Sequence, residues 1–366
     1  MAATSAFAQV TIYGTVDAGY SNVTATNATA AAYGAYAAKN EYRIVGFANN
    51  PGTSGTLTSN RIGFKGEEDL GNGLKAGFTY ELGVNYGTGA GGLGGTTRQS
   101  FVHLTDASLG AISIGRQYTP LFSAGAAYDA GGANNMVAGR TVYGKHNTVF
   151  APSLLVSTTG DTFTRASGVM YTSPTMAGVT VKVFKGKDSA SNNDVAISAA
   201  TSGVAVNSKN SGGSVSYVNG PLSLTAATHT YQNLDTTSTI YGNSVTKANL
   251  VGASYDLGVA KLMVSTVNNT TKQTDVQNYR YKGTQFGLQA PVTPKVDLFA
   301  TYGTGKSDTV ENVRAYDHKA YQLGASYSLS KRTNVYYAMG HEVATLVSAN
   351  TDVTIKQTAI GLRHAF

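Results

Sequence analysis

Along most of this chain, apolar residues alternate one for one with small or polar ones. In residues 74–82 the positions Leu74, Ala76, Phe78, Tyr80 and Leu82 are interleaved with Lys75, Gly77, Thr79 and Glu81. A helix would scatter that set around its circumference, whereas a strand puts it on one face. Ile62 and Phe64 stand in the same way against Arg61, Gly63 and Lys65, and Val179, Val181 and Val183 against Thr180 and Lys182. Tyr321, Leu323, Ala325, Tyr327 and Leu329 oppose Gln322, Gly324, Ser326, Ser328 and Ser330, so one entire face is small and polar. The alternation predicts an all-β chain, and a soluble sandwich would show its polar face to water outside.

The connections decide otherwise. Short turns are predicted at residues 68–73, 106–110, 173–178, 219–221, 256–258, 290–294 and 330–332. Between them lie polar excursions at about 24–57, 85–96, 118–164, 188–210, 232–246, 269–278, 306–317 and 344–351. Turns and excursions alternate strictly, so fifteen connections join sixteen antiparallel strands with both chain ends on the short-turn side. An even strand number with short turns on one rim and long loops on the other is the plan of an outer-membrane β-barrel. Strands of ~10 residues suffice to cross, and a barrel of sixteen is too wide for side chains to fill. The expected molecule is a 16-stranded antiparallel transmembrane barrel around water.

Composition narrows the alternatives. With 43 Gly among 366 residues, no Cys and 13% charged residues, the chain is too Gly-rich for a helical fold and too uncharged for disorder. The absence of cysteine removes disulfides, thiol nucleophiles and Cys-based zinc sites. The charge-free window 18–38 holds only Val23 among the large aliphatics and is laced with Ser, Asn and Thr, so it makes no bilayer-spanning helix. Tyr20, Tyr302, Tyr327 and Tyr337 fall near strand ends, where aromatic girdles meet headgroups. Residues 1–8, with Ala6 and Ala8 in a small-x-small pattern, read as a residual signal-peptide segment ahead of one domain over 9–366. The alternative for that stretch is an ordinary Ala-rich N-terminus.

Several runs together resemble a known family. Gln9-Val-Thr-Ile-Tyr-Gly-Thr-Val-Asp-Ala-Gly19, Ser59-Asn-Arg-Ile-Gly-Phe-Lys-Gly-Glu-Glu-Asp-Leu-Gly71, Gly115-Arg-Gln-Tyr-Thr-Pro120 and Gly361-Leu-Arg-His-Ala-Phe366 are similar to the general diffusion porins of Gram-negative bacteria, especially their beta-proteobacterial branch. The resemblance implies a homotrimer in the outer membrane whose long third loop folds inward to narrow the channel. It implies passive diffusion of small hydrophilic solutes and ions, with no catalytic residues and no cofactor. The terminal Phe366 reads as the outer-membrane assembly signal.

Arg61, Arg98 and Arg165 lie on descending strands, roughly six to eight residues before their turns. At ~3.3 Å per residue and a tilt near ~40° they stand ~15 to 20 Å above the rim, in a row about mid-membrane. Parity turns Arg61 inward, opposite Ile62 and Phe64. Arg98 shares a face with Val102 and Leu104, so the inward orientation of Arg98 and Arg165 rests on the resemblance, which matches all three to the basic constriction residues of these porins. Lys65, Asp129 and Arg140 complete the pore-lining candidates. Arg116 shares a face with Ile112 and Ile114, so parity sends it outward to a neighbouring subunit or to the root of the third loop. The alternative for all four arginines is pairing with carboxylates of the wall.

The net charge of +7, from 27 Lys plus Arg against 20 Asp plus Glu, favours anions, because rings of Arg suit anion pores. Arg140 and Lys145 would strengthen that preference, and Asp129, Glu81 and Asp297 would temper it. The Gly-rich stretch 87–95 lacks the ending of a phosphate loop and reads as a second loop. His103, His146, His229, His318, His341 and His364 show no metal-ligand spacing, and the scattered Lys and Arg form no nucleic-acid stripe. An enzyme in a barrel and a plugged, adhesive barrel remain the competing classes; lipid hydrolysis would mark the first and absence of conductance the second.

Overall fold

In a computed structural model of the chain, the structure describes residues 10–26, 41–45, 55–84, 93–138, 165–189, 207–233, 244–273, 278–308 and 313–366. The expected signal segment, Arg140, Lys145 and His146 lie outside the described residues.

The strands are β1 (Thr11–Thr26), β2 (Glu41–Val45), β3 (Arg61–Gly71), β4 (Leu74–Val84), β5 (Leu93–Asp106), β6 (Gly110–Tyr118), β7 (Arg165–Thr172), β8 (Val179–Ser189) and β9 (Asn207–Asn219). They continue as β10 (Leu222–Asn233), β11 (Ser244–Asp256), β12 (Lys261–Gln273), β13 (Asn278–Thr293), β14 (Val296–Asp308), β15 (Arg314–Ser328), β16 (Thr333–Leu346) and β17 (Thr351–Ala365). One helix, α1 (Pro120–Ala127), follows β6. From β3 to β17 each strand pairs antiparallel with the next, and β17 pairs with β1. The last bonds of the ring run from the Gly14 amide to the Phe366 carbonyl at 3.1 Å and back from the Phe366 amide to Gly14 at 3.2 Å.

Seventeen strands make sixteen staves. β1 pairs with β3 from Thr11 to Thr15 and with β2 from Gly19 to Val23, so those two short strands occupy one lane in succession. The result is an all-β, 16-stranded, closed antiparallel barrel, in which no edge is left to be satisfied by lipid. β2 lies inside a stretch expected to be loop, and its five residues are too short to show an alternation. The turn expected at 290–294 falls later, between Thr293 and Val296. Pro291 has no N–H to give the ladder, and the register shifts between Pro291 and Thr293.

The wall is built inside out relative to a soluble protein. Val251, Phe286 and Ile360 are 55–59% exposed on one face, while Gln285, Gln322 and Gln357 on the other are 0–1% exposed. The same alternation runs along β11, where Thr246, Ala248, Leu250 and Ser254 are buried and Val251 is exposed. The outer band of apolar side chains is the surface that lipid covers. Apolar clusters join the chain that follows β6 to buried residues of the wall: Leu121 and Ala124 with Ala227, Ala248, Leu250, Val267 and Tyr281, and Val137 and Ala138 with Val23, Ala320, Ala344 and Ile355.

Candidate constriction site

The site grows from an irregularity in β5. Glu81 of β4 faces Gln99, but its neighbour Leu82 faces Thr97, so Arg98 is an extra residue in the ladder. Such a bulge re-aims a side chain. Strict alternation would keep Arg98 with Val102 and Leu104 on the lipid face; the bulge instead brings its guanidinium to Glu81, Nε to Oε1 at 2.6 Å. Arg98 is 4% exposed, and its second bond goes from Nη2 to the Tyr118 hydroxyl at 2.7 Å.

Glu81 shares the register line of Gly63, the same face as Arg61 and Lys65. Arg61, which opens β3, places Nε 3.6 Å from the second carboxylate oxygen, and Tyr13 donates to that oxygen at 3.1 Å. Arg165 opens β7 opposite Tyr118 and sets its guanidinium carbon 5.2 Å from the centre of the Tyr118 ring. A cation over an aromatic face is attracted by the ring quadrupole. Thus Arg61, Arg98 and Arg165 gather about one carboxylate and one tyrosine. Of the three, Arg61 is the most accessible, with 28% of its side chain exposed.

Lys65 is exposed, its ammonium 5.5 Å from the Tyr13 ring centre. Asp129 is buried and accepts from the Gly131 amide at 2.8 Å. Asp297 is exposed near the start of β14. Arg116 lies on the face of Ile112 and Ile114, and its Nε donates to the Thr97 carbonyl at 2.9 Å, beside the bulge. Phe366 is the closing residue of the ring described above.

Tyr118 also stacks on Phe122 at 5.1 Å and so links the cluster to the chain after β6. That stretch, expected as part of the long third loop, contains α1. Thr119 caps it, its Oγ accepting from the Phe122 amide at 3.1 Å, and Pro120 takes the first turn, where its missing N–H costs nothing. The Thr-Pro pair is the signal that marks this helix in the sequence. Beyond the helix, the chain bonds to side chains of distant strands. The Ala130 carbonyl accepts from Gln289 of β13 at 2.8 Å, and the Val137 carbonyl accepts from Gln322 of β15 at 3.0 Å. The Val137 amide donates to Gln357 of β17 at 2.8 Å. Any Cβ at Gly340 would strike the Val137 carbonyl, so a glycine is needed for this approach.

Tyr13 and Tyr118 are members of this neighbourhood that the sequence does not single out, since tyrosine is an ordinary strand residue. Among the described residues, no group of three or more His, Asp or Glu side chains is placed to hold a metal ion.

A closed barrel with an apolar outer band and a polar inner face defines a transmembrane β-barrel of the outer-membrane class. Residues 1–343 match the family model described as Gram-negative porin, and the chain belongs to that family. It is a non-enzymatic channel protein of the Gram-negative outer membrane. It is 29% identical over 391 residues to outer membrane porin protein 32 of Delftia acidovorans, with 100% of this chain and 96% of that relative covered. An outer membrane porin protein of Bordetella pertussis is 27% identical over 358 residues, covering 86% of this chain and 84% of that one. Among solved structures, an anion-selective porin from Comamonas acidovorans superposes with a TM-score of 0.72 at 23% identity, covering 98% of this chain and 100% of that one.

Proposed function

We propose that this porin conducts small anions in preference to cations, through a constriction that residues 119–138 form against the cluster of Arg61, Arg98 and Arg165. The observation that carries the reading is the gathering of that cluster: Arg61 and Arg98 close on the Glu81 carboxylate, and Arg165 stands over the Tyr118 ring to which Arg98 also bonds, so three guanidinium groups share one patch of the wall. A charged constriction with low-dielectric walls concentrates the opposite ion. The segment 119–138 leaves the wall at β6 and bonds to residues of β13, β15 and β17, which supports an inward path across the lumen. The net charge of +7 and the likeness in fold to the anion-selective porin from Comamonas acidovorans point the same way. The assembly is a homotrimer, consistent with the apolar outer surface of Phe78, Val102, Ile112 and Ile114 beside Arg116.

Replacement of Arg61, Arg98 and Arg165 by Gln is expected to move the zero-current potential in a KCl gradient toward that of a neutral pore and to raise conductance. Retention of wild-type values for both would refute the constriction.

A further inference from the structure

Residues 55–60 lead into β3 without regular secondary structure, yet Thr56 is 0% and Asn60 1% exposed. Connecting segments normally run over the surface because their backbone groups need water. Here those groups are committed to protein partners on two sides.

On the wall side the partner is Asp17 of β1, itself fully buried. Its Oδ2 accepts from the Thr58 amide at 2.8 Å and the Thr58 hydroxyl at 3.2 Å, and its Oδ1 accepts from Tyr336 of β16 at 2.7 Å. The Asp17 amide donates to the Asn60 side-chain oxygen. On the other side the partner is Asn135, whose amide donates to the Thr56 carbonyl at 3.2 Å and whose Nδ2 donates to Ser59 at 3.0 Å. Gly55 has φ +71, and a Cβ there would lie 2.6 Å from that of Ser21. Ser21 accepts from Gln357 at 2.8 Å, the same Gln357 that holds the Val137 amide. One buried polar network therefore joins β1, β16 and β17 to residues 135–137, and Arg61 follows it by one residue.

Wall closure does not require these bonds, since β1 already pairs with β2 and β3 in that lane. The buried polar atoms of the network are hydrogen-bonded except the Asn60 Nδ2, and these mutual bonds commit its members to one arrangement, so the network holds its ends at a set spacing. We propose that residues 55–60, with Asp17 and Asn135, form a latch of positioning residues that fixes Arg61 against the end of the 119–138 segment. The latch thereby sets the aperture and its ion discrimination. This rests on the constriction reading given above.

The test is single-channel recording on Asn135→Ala and Asp17→Asn in the full-length protein, with Arg61→Gln as reference. Folding is checked by heat-modifiable gel mobility and the melting midpoint. The latch predicts folded variants with raised open-channel current noise and a zero-current potential shifted toward neutrality. A purely structural role would move the melting midpoint and leave both electrical readouts alone, which overturns the latch. Asn135 lies outside the wall strands, so Asn135→Ala decides the matter if Asp17→Asn fails to fold. If Arg61→Gln shifts the potential and the latch variants do not, the latch is wrong and the constriction stands. If Arg61→Gln also leaves it unmoved, the constriction reading falls, and the latch with it.

Discussion

Glu81→Gln is the sharpest perturbation of the arginine cluster, because it removes one negative charge and keeps the carbonyl oxygen that accepts from Arg98. The Arg61 Nε lies 3.6 Å from the Glu81 carboxylate. An anion in contact with Arg61 at about 3 Å therefore passes about 7 Å from that carboxylate. At this separation and the dielectric of water the repulsion is about 0.6 kcal/mol, and the ~10 Å Debye length at 0.1 M salt roughly halves it. The variant should hold anions roughly 1.6-fold to threefold more strongly at the constriction, the larger factor applying at low salt. Zero-current potentials in KCl gradients at two mean salt concentrations measure this directly. A shift toward anions that grows as salt is lowered is expected. No shift, or a shift toward cations, would refute the placement of Glu81 and Arg61 beside the permeation path.

Two further predictions concern the barrel itself. Val251 is 57% exposed near the middle of β11, so Val251→Arg should cost ~2 to 4 kcal/mol of folding free energy in phospholipid vesicles; a loss well below that in urea titrations would show that this face does not meet lipid. At the opposite end from the turns, Asp308 accepts from Arg280 at 2.8 Å and from Arg314 at 3.0 Å, about 30 Å above the start of β14 and beyond the ~25 Å apolar band. Burial there pushes the carboxyl up, but the hydrogen bonds and charges of Arg280 and Arg314 outweigh it and hold it below the usual carboxylate range. A depressed acid stabilises the fold above its ordinary pKa and ceases to as pH falls through the lowered value. The melting midpoint of the wild type should thus exceed that of Asp308→Asn at pH 5 to 7, and the gap should close on acidification below about pH 4. A gap independent of pH would refute the clamp.

Much of the barrel is legible in the sequence because strand alternation and turn chemistry are local. The seven short turns and eight long connections are countable without knowing which face meets lipid, and their alternation fixes sixteen staves. The same locality explains the failures. β2 is held by its partner β1 rather than by its own pattern, and Pro291, which reads as a turn, sits at a bulge before one. At the site, Arg61 obeys parity, whereas Arg98 reaches Glu81 only because of one inserted residue, a displacement that its own sequence does not announce. Arg165 lies at a strand end, where its guanidinium sits over the Tyr118 ring rather than on the exposed face of Val169 and Tyr171. The latch is hidden for another reason: Asp17, Thr58 and Asn135 are common residue types, brought together only by closure of the ring.

The most direct test of the account is a planar-bilayer recording of the purified wild-type protein across a tenfold KCl gradient. The account predicts stepwise conductance through a water-filled lumen, with a zero-current potential of the sign set by chloride. Silent insertion, or a potential of the sign set by potassium, would contradict it.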